Sequence, residues 1–160
     1  MSSSLHGRRI TTRLCGLDLY VNDEGVLKAI EFVWSRRPAP PRSDHPALAV
    51  VEKQLQEFVK GERRTFDLPF EADGTEFQQA VWRRLVAIPY GERWTYGDVA
   101  RALRKSGAAR AVGLACAKNP IPLVIPCHRV VGSDGSLTGF GGGLVMKRTL
   151  LDLERGGRLL

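Results

Sequence analysis

The stretch Asn119–Val131, NPIPLVIPCHRVV, constrains the fold more than any other part of the chain. Pro120, Pro122 and Pro126 fix φ and push the residues before them out of helical space, so no helix runs through it. The apolar run Ile121–Ile125 makes it a stiff ledge, and the ledge ends on Cys127, followed by His128 and Arg129. A cysteine ordinarily packs as a small apolar residue. A thiol flanked by an imidazole and a guanidinium also has the setting of a nucleophile. Adjacent residues of an extended chain point to opposite faces, so the spacing favours a bridging water over direct Cys127–His128 contact. From spacing alone, filler and nucleophile both stand.

Around this ledge the chain reads as two modules, 1–72 and 73–160, in a mixed α/β (α+β) fold. In the first, Leu17, Leu19 and Val21 alternate with polar residues, Asn22–Gly25 is a turn, and Ile30, Phe32 and Trp34 alternate again, which predicts a small antiparallel sheet over 8–34. Ser35–Pro46, rich in Arg and Pro, reads as a loop. Leu48, Val51, Leu55 and Phe58 form an apolar stripe over a helix from Ala47 to Lys60, stopped by Gly61. Arg64–Phe70 is expected to add a short strand.

The second module opens with Thr75 and Gln78 at capping-box spacing and a helix with Phe77, Val81 and Leu85 on one face and Trp82 and Val86 beside them. Pro89-Tyr90-Gly91 ends it. Thr95 then caps a short helix to about Leu103, Arg104–Gly107 turns, and a helix follows over Ala108–Lys118. That pair has the outline of a helix-turn-helix. The second helix, AARAVGLACAK, is built of small residues apart from Arg110 and Lys118. Small residues let a backbone come close either to a nucleic-acid groove or to the protein interior, and the pattern alone does not choose. Beyond Cys127 come a strand at Val130-Val131, a turn over Gly132–Gly135, a glycine-rich loop over Gly139–Gly143 and a helix from Leu144 to Arg155. No Gly-Lys-Ser/Thr follows that loop, so it is not a phosphate loop. Lys147, Leu150, Leu151 and Glu154 share one face of the last helix, with Glu154 facing either solvent or a cation.

Charge separates the modules. Residues 1–74 carry 11 basic and 11 acidic side chains, whereas residues 75–160 carry 13 and 6, so the whole net charge of +7 lies in the half that holds Cys127. A basic half suits a polyanionic partner, with nucleic acid foremost, though a solvated basic surface has the same composition. Three widely spaced cysteines, Cys15, Cys116 and Cys127, argue against a disulfide framework. His6, His45 and Cys15 lack metal-ligand spacing, so no metal is expected. No apolar run could span a membrane, and MSSSLHGRRI lacks the core of a secretory signal, which points to a cytoplasmic protein.

The motif Pro126-Cys127-His128-Arg129 resembles the active-site motif of the O6-alkylguanine-DNA alkyltransferases. The similarity continues, in order, through Thr75–Trp82, Pro89–Gly97, Ala108–Gly113, Asn119-Pro120, Ile125–Val131 and Leu137–Lys147. It covers residues 73–156 closely and the first seventy only in layout. It implies a winged helix-turn-helix second domain, and DNA repair by moving the alkyl group of a flipped O6-alkylguanine, or O4-alkylthymine, onto the protein's own cysteine, once per molecule. It implies duplex DNA with alkylated bases as partner, no cofactor, no membrane and a monomer, with cooperativity on DNA left open. Such a family also contains non-enzymatic binders of alkylated DNA. These lack the acceptor cysteine, which is present here.

Residue by residue, the resemblance makes Cys127 the acceptor, His128 its base through a water, Glu154 the group that holds His128, and Asn119 the brace of the turn. Tyr96 donates to the leaving guanine. Val130 and Gly141 meet the base through the backbone, with Phe140 and Lys147 forming and orienting the loop over it. Arg110 fills the gap left by the flipped base. Ala109, Ala111 and Gly113 let the helix sit deep in the minor groove, and Thr95, Lys118 and Arg129 join the DNA contacts. Some relatives have Tyr and Ser where this chain has Phe140 and Gly141, which implies a roomier pocket that tolerates bulky alkyl groups.

Overall fold

In the computed structural model, residues 4–34 and 37–156 are described. They fall into two compact units, one running to Ala72 and the other starting at Asp73. The first is a three-stranded antiparallel sheet, β1 (His6–Thr11), β2 (Gly16–Val21) and β3 (Leu27–Phe32), in the order β1-β2-β3 with helix α1 (Pro46–Val59) packed on it. Leu17, Leu19, Val21 and Ile30 turn into the core against Leu48, Val51, Leu55 and Phe58 of α1, all buried. Pro46, expected in the loop, instead begins the helix, where its missing N–H would be unpaired in any case. Ser35 and Arg36, in the same expected loop, lie outside the described residues. The turn at Asn22–Gly25 closes with Gly25 at φ +82°, and Gly61, at φ +77°, follows α1.

Two expectations change in this unit. Arg64–Phe70 is not a strand. Its contribution is a single bridge from Phe70 to Leu27, because the segment meets the edge of β3 at one point. Trp34 lies beyond β3 and is 62% exposed.

The second unit consists of α2 (Glu76–Val86), β4 (Trp94–Thr95), α3 (Tyr96–Ala102), α4 (Ala109–Ala117), β5 (Val130–Val131) and α5 (Leu144–Glu154). The predicted Thr75–Gln78 capping box forms, and the expected Thr95 cap is also a full box, with Asp98 reaching back to the Thr95 amide. Strands β4 and β5 pair in parallel, Trp94 with Val130 and Thr95 with Val131, the small wing beside the α3–α4 helix-turn-helix. Helix α2 packs on α4 through Val81, Trp82 and Leu85, and the Trp82 indole donates to the Ala115 carbonyl at 2.9 Å. Val86, expected beside that face, is exposed, since it follows Leu85 by a 100° step around the helix.

Candidate active site and nucleic-acid interface

The proline-broken ledge is tied down by Asn119. Its side chain accepts from the Ile121 amide at 2.9 Å and donates to the Ile125 carbonyl at 2.8 Å, closing the loop under Cys127. Ile121, Leu123, Val124 and Ile125 are all buried. Cys127–Arg129 then make one 3₁₀ turn rather than the extended chain expected. Successive side chains in such a turn diverge by about 120°, so Cys127 and His128 still point different ways. Cys127 is 7% exposed.

Glu154, near the end of α5, receives four donors. Its Oε2 takes His128 Nε2 at 2.6 Å and Arg129 Nη2 at 3.0 Å. Its Oε1 takes Arg129 Nε at 2.8 Å and the Gly91 amide at 3.1 Å. Burial alone would raise this carboxyl, but hydrogen bonds from His128 and the Arg129 guanidinium hold it down to about 2. An ionised carboxylate only accepts, so His128 Nε2 carries a hydrogen, and in the neutral ring Nδ1 is the basic nitrogen. Burial pushes His128 below its ordinary value despite Glu154, and the Arg129 cation pushes in the same direction. Burial likewise pushes the Cys127 thiol up, opposed by the Asn119 side chain and the Lys147 ammonium. The cysteine therefore rests as a neutral thiol next to a neutral imidazole, not as the ready thiolate that nucleophilic attack requires.

Arg129 is misassigned by the sequence as a DNA contact. It is 6% exposed, with one fork on Glu154 and Nη1 donating to the Ile88 carbonyl at 2.7 Å. Its planar donors are consumed inside the protein, and the Tyr90 ring lies 5.6 Å from its carbon centre.

A second group of residues lines an open cleft of about 510 Å³: Tyr96, Ala109, Arg110, Gly113, Leu114 and Thr138 among them. The α4 residues in that list recur at helical spacing, so one face of α4 is turned to the cleft. Arg110 is exposed there, while Ala111 and Lys118 are exposed on α4 and its cap without lining the cleft. Thr95 uses its hydroxyl oxygen as the α3 cap, accepting from Asp98 N at 3.0 Å.

Lys147 and Phe140 link the two groups. The Lys147 side chain is fully buried, its Nζ donates to the Thr138 carbonyl at 2.8 Å, and it stands 5.8 Å from the Tyr96 ring centre. Phe140 meets the His128 ring edge-on, with centroids 6.5 Å apart. Its loop fits closely, because a Cβ on Gly142 would lie 2.5 Å from the Phe140 ring and 2.6 Å from Met146 Sδ. Gly141 is exposed, and Val130 is buried in β5. Thr138 was absent from the residues singled out in the sequence. Its position beside Gly139, inside the Leu137–Lys147 stretch, was the available signal.

A helix-turn-helix with a cleft on its second helix, joined to a buried Cys–His–Glu cluster, defines a DNA-binding protein equipped for cysteine chemistry. Residues 76–156 match the family model described as 6-O-methylguanine DNA methyltransferase, DNA binding domain. A methylated-DNA–protein-cysteine methyltransferase of Mycolicibacterium paratuberculosis is 53% identical over 109 residues, 68% of this chain and 66% of that protein, so the match spans just under two thirds of that relative. One from Methanosarcina acetivorans is 41% identical over 140 residues, 85% of this chain and 90% of that protein. The crystal structure of Mycobacterium tuberculosis OGT in complex with DNA superposes with a TM-score of 0.86 at 41% identity, covering 94% of this chain and 93% of that one. The chain belongs to the methylated-DNA–protein-cysteine methyltransferase family.

Proposed function

We propose that this protein repairs DNA by direct reversal, moving the alkyl group of O6-alkylguanine in duplex DNA onto Cys127. The observation that carries this reading is the cysteine backed by His128, Glu154 and Arg129 in a unit whose recognition helix opens onto a cleft. DNA enters along α4, whose small residues permit close approach. Arg110 inserts where the damaged base leaves the stack, offsetting an unstacking cost of a few kcal/mol.

His128 Nδ1 takes the thiol proton through a water, and Glu154 stabilises the resulting imidazolium. The Cys127 sulfur attacks the alkyl carbon. The Sγ–C bond forms, the C–O6 bond breaks, and the electron pair stays on the guanine. Tyr96 donates a hydrogen bond to the guanine anion, which regains the proton that left the thiol. Asn119 keeps the ledge in place, and Lys147 favours the thiolate by charge. All these groups come from one chain, so a monomer suffices, and the thioether ends its service. Arg129 serves inside the protein: it fixes Glu154 as an anion and restrains His128 from charging at rest.

The test is intact mass and peptide mapping after mixing with duplex DNA carrying one O6-methylguanine. One methyl per molecule on Cys127, with the DNA restored to guanine, is the expected result. A tight complex without transfer would instead favour a non-enzymatic binder.

A further inference from the structure

Thr138 is a polar residue of the cleft with no part in the steps above. Thr138 binds Tyr96 through its side chain and Lys147 through its main chain. We infer that Thr138 is a positioning residue: its hydroxyl holds the Tyr96 phenol in the orientation that donates to the departing base. The inference rests on the transfer reading above.

The hydrogen-bond directions follow from what each atom can do. A backbone carbonyl only accepts. The Thr138 carbonyl takes Lys147 Nζ at 2.8 Å and the Tyr96 hydroxyl at 3.5 Å. The phenol proton therefore points along the longer contact, and the phenol oxygen accepts from Thr138 Oγ1 at 2.8 Å. The contact at 3.5 Å lies at the edge of hydrogen-bond range, and its acceptor already serves a charged donor at shorter distance. The phenol proton is thus the loosest in the group, while the phenol's accepting side is filled by a well-formed bond. A phenol so arranged can give a hydrogen bond to a ligand but has little capacity to accept one.

Thr138 is itself anchored from two sides. Its carbonyl is tied to buried Lys147 of α5, and its hydroxyl to Tyr96 of α3. Tyr96 and Thr138 line the same cleft as Arg110, which puts the loose proton at the wall of the cleft where the base is read to enter. A hydroxyl that accepts one hydrogen bond donates a stronger one, because the chain of bonds polarises. The benefit grows as negative charge builds on the leaving guanine, so it acts on the transition state more than on binding. Burial raises the Tyr96 phenol, and the Thr138 bond opposes that rise.

The test uses the full chain and an O6-methylguanine duplex under single-turnover conditions. Thr138→Val is expected to slow transfer ~3–10-fold, the effect of one lost hydrogen bond, with duplex affinity unchanged. Thr138→Ser, which keeps the hydroxyl, should transfer within about 2-fold of wild type, inside that one-bond effect. In a Tyr96→Phe background, Thr138→Val should have no further effect. A second readout needs no DNA. The ultraviolet titration assigned to Tyr96, by difference from Tyr96→Phe, should move to higher pH in Thr138→Val and stay in Thr138→Ser. Equal slowing by Val and Ser, or undiminished slowing in the Tyr96→Phe background, overturns the inference while leaving the activity intact. Absence of transfer by the wild-type protein overturns the activity and the role of Thr138 in it together.

Discussion

Each unit of this protein buries a carboxylate against arginine, and the two are put to different use. In the first unit Asp18 is fully buried in the middle of β2 and takes a two-pronged bond from Arg9, at 2.8 and 3.0 Å, with Arg37 at 3.5 Å. In the second, Glu154 takes the same fork from Arg129. The difference is the fourth donor. Glu154 also holds His128, an imidazole that can take up and release a proton and that adjoins a cysteine. Arg9 keeps its side chain partly in water, 28% exposed, whereas Arg129 is enclosed at 7%. A buried carboxylate on arginine alone fastens strands together. The same carboxylate shared with an imidazole can stabilise a proton in transit.

The sharpest way to break the comparison is to remove the nucleophile. Cys127→Ser should lower transfer at least ~1,000-fold while duplex binding persists in a gel shift, and Cys15→Ser in the first unit should leave the rate unchanged. Next come the carboxylates. Glu154→Gln leaves Arg129 buried and unpaired, which should destabilise by about 3–5 kcal/mol in denaturant unfolding and slow transfer as well. Asp18→Asn should cost about 1–3 kcal/mol with no change in the rate per folded molecule.

Acid probes the second of these carboxylates. Glu154 ionises at about 2 in the fold against an ordinary 4.5. Its contribution is complete above 4.5 and disappears as pH falls from there toward 2, so Glu154→Gln should flatten the acid limb of a stability profile. At the active site itself, a neutral thiol that passes its proton to a neutral His128 predicts a transfer rate that stays level through neutral pH and falls in acid as His128 takes up a proton. A rate that climbed steadily through neutrality would instead mark attack by free thiolate and remove His128 as the base. Arg129→Met should shift the His128 titration upward by NMR, because a cation that opposes imidazolium is gone. The smallest effect concerns pocket size: Gly141→Val should slow benzyl transfer more than methyl transfer, and equal slowing would remove position 141 as a determinant of room.

Much of this site could be read from one sequence because its signals are local. Prolines bar a helix at the ledge, the Thr75–Gln78 capping box and the Thr95 cap mark helix starts, and the Cys127–Arg129 motif follows directly on the last of the prolines. The parts that misled were set by tertiary contacts. Arg129 looks like a DNA contact in a basic half, and only the approach of α5 and the Ile88 carbonyl shows its guanidinium enclosed. Asp18 sits in a strand whose alternation reads as outward-facing, yet Arg9 across the sheet makes burial tolerable. Thr138 is ordinary in sequence and gains meaning from two partners, Tyr96 and Lys147, on separate helices. Arg64–Phe70 has the apolar content of a strand but meets β3 at only one bridge.

The depth of Cys127 also bears on how long the protein keeps. Peroxide and disulfide oxidants attack thiolates, and a thiol with little exposure and a raised pKa offers them almost none. On the proposed function, a protein that uses its reagent once has to carry it intact until a lesion arrives. Burial therefore works as a preservative: the resting state forgoes reactivity toward the solvent and reserves it for the one encounter in which a base fills the cleft.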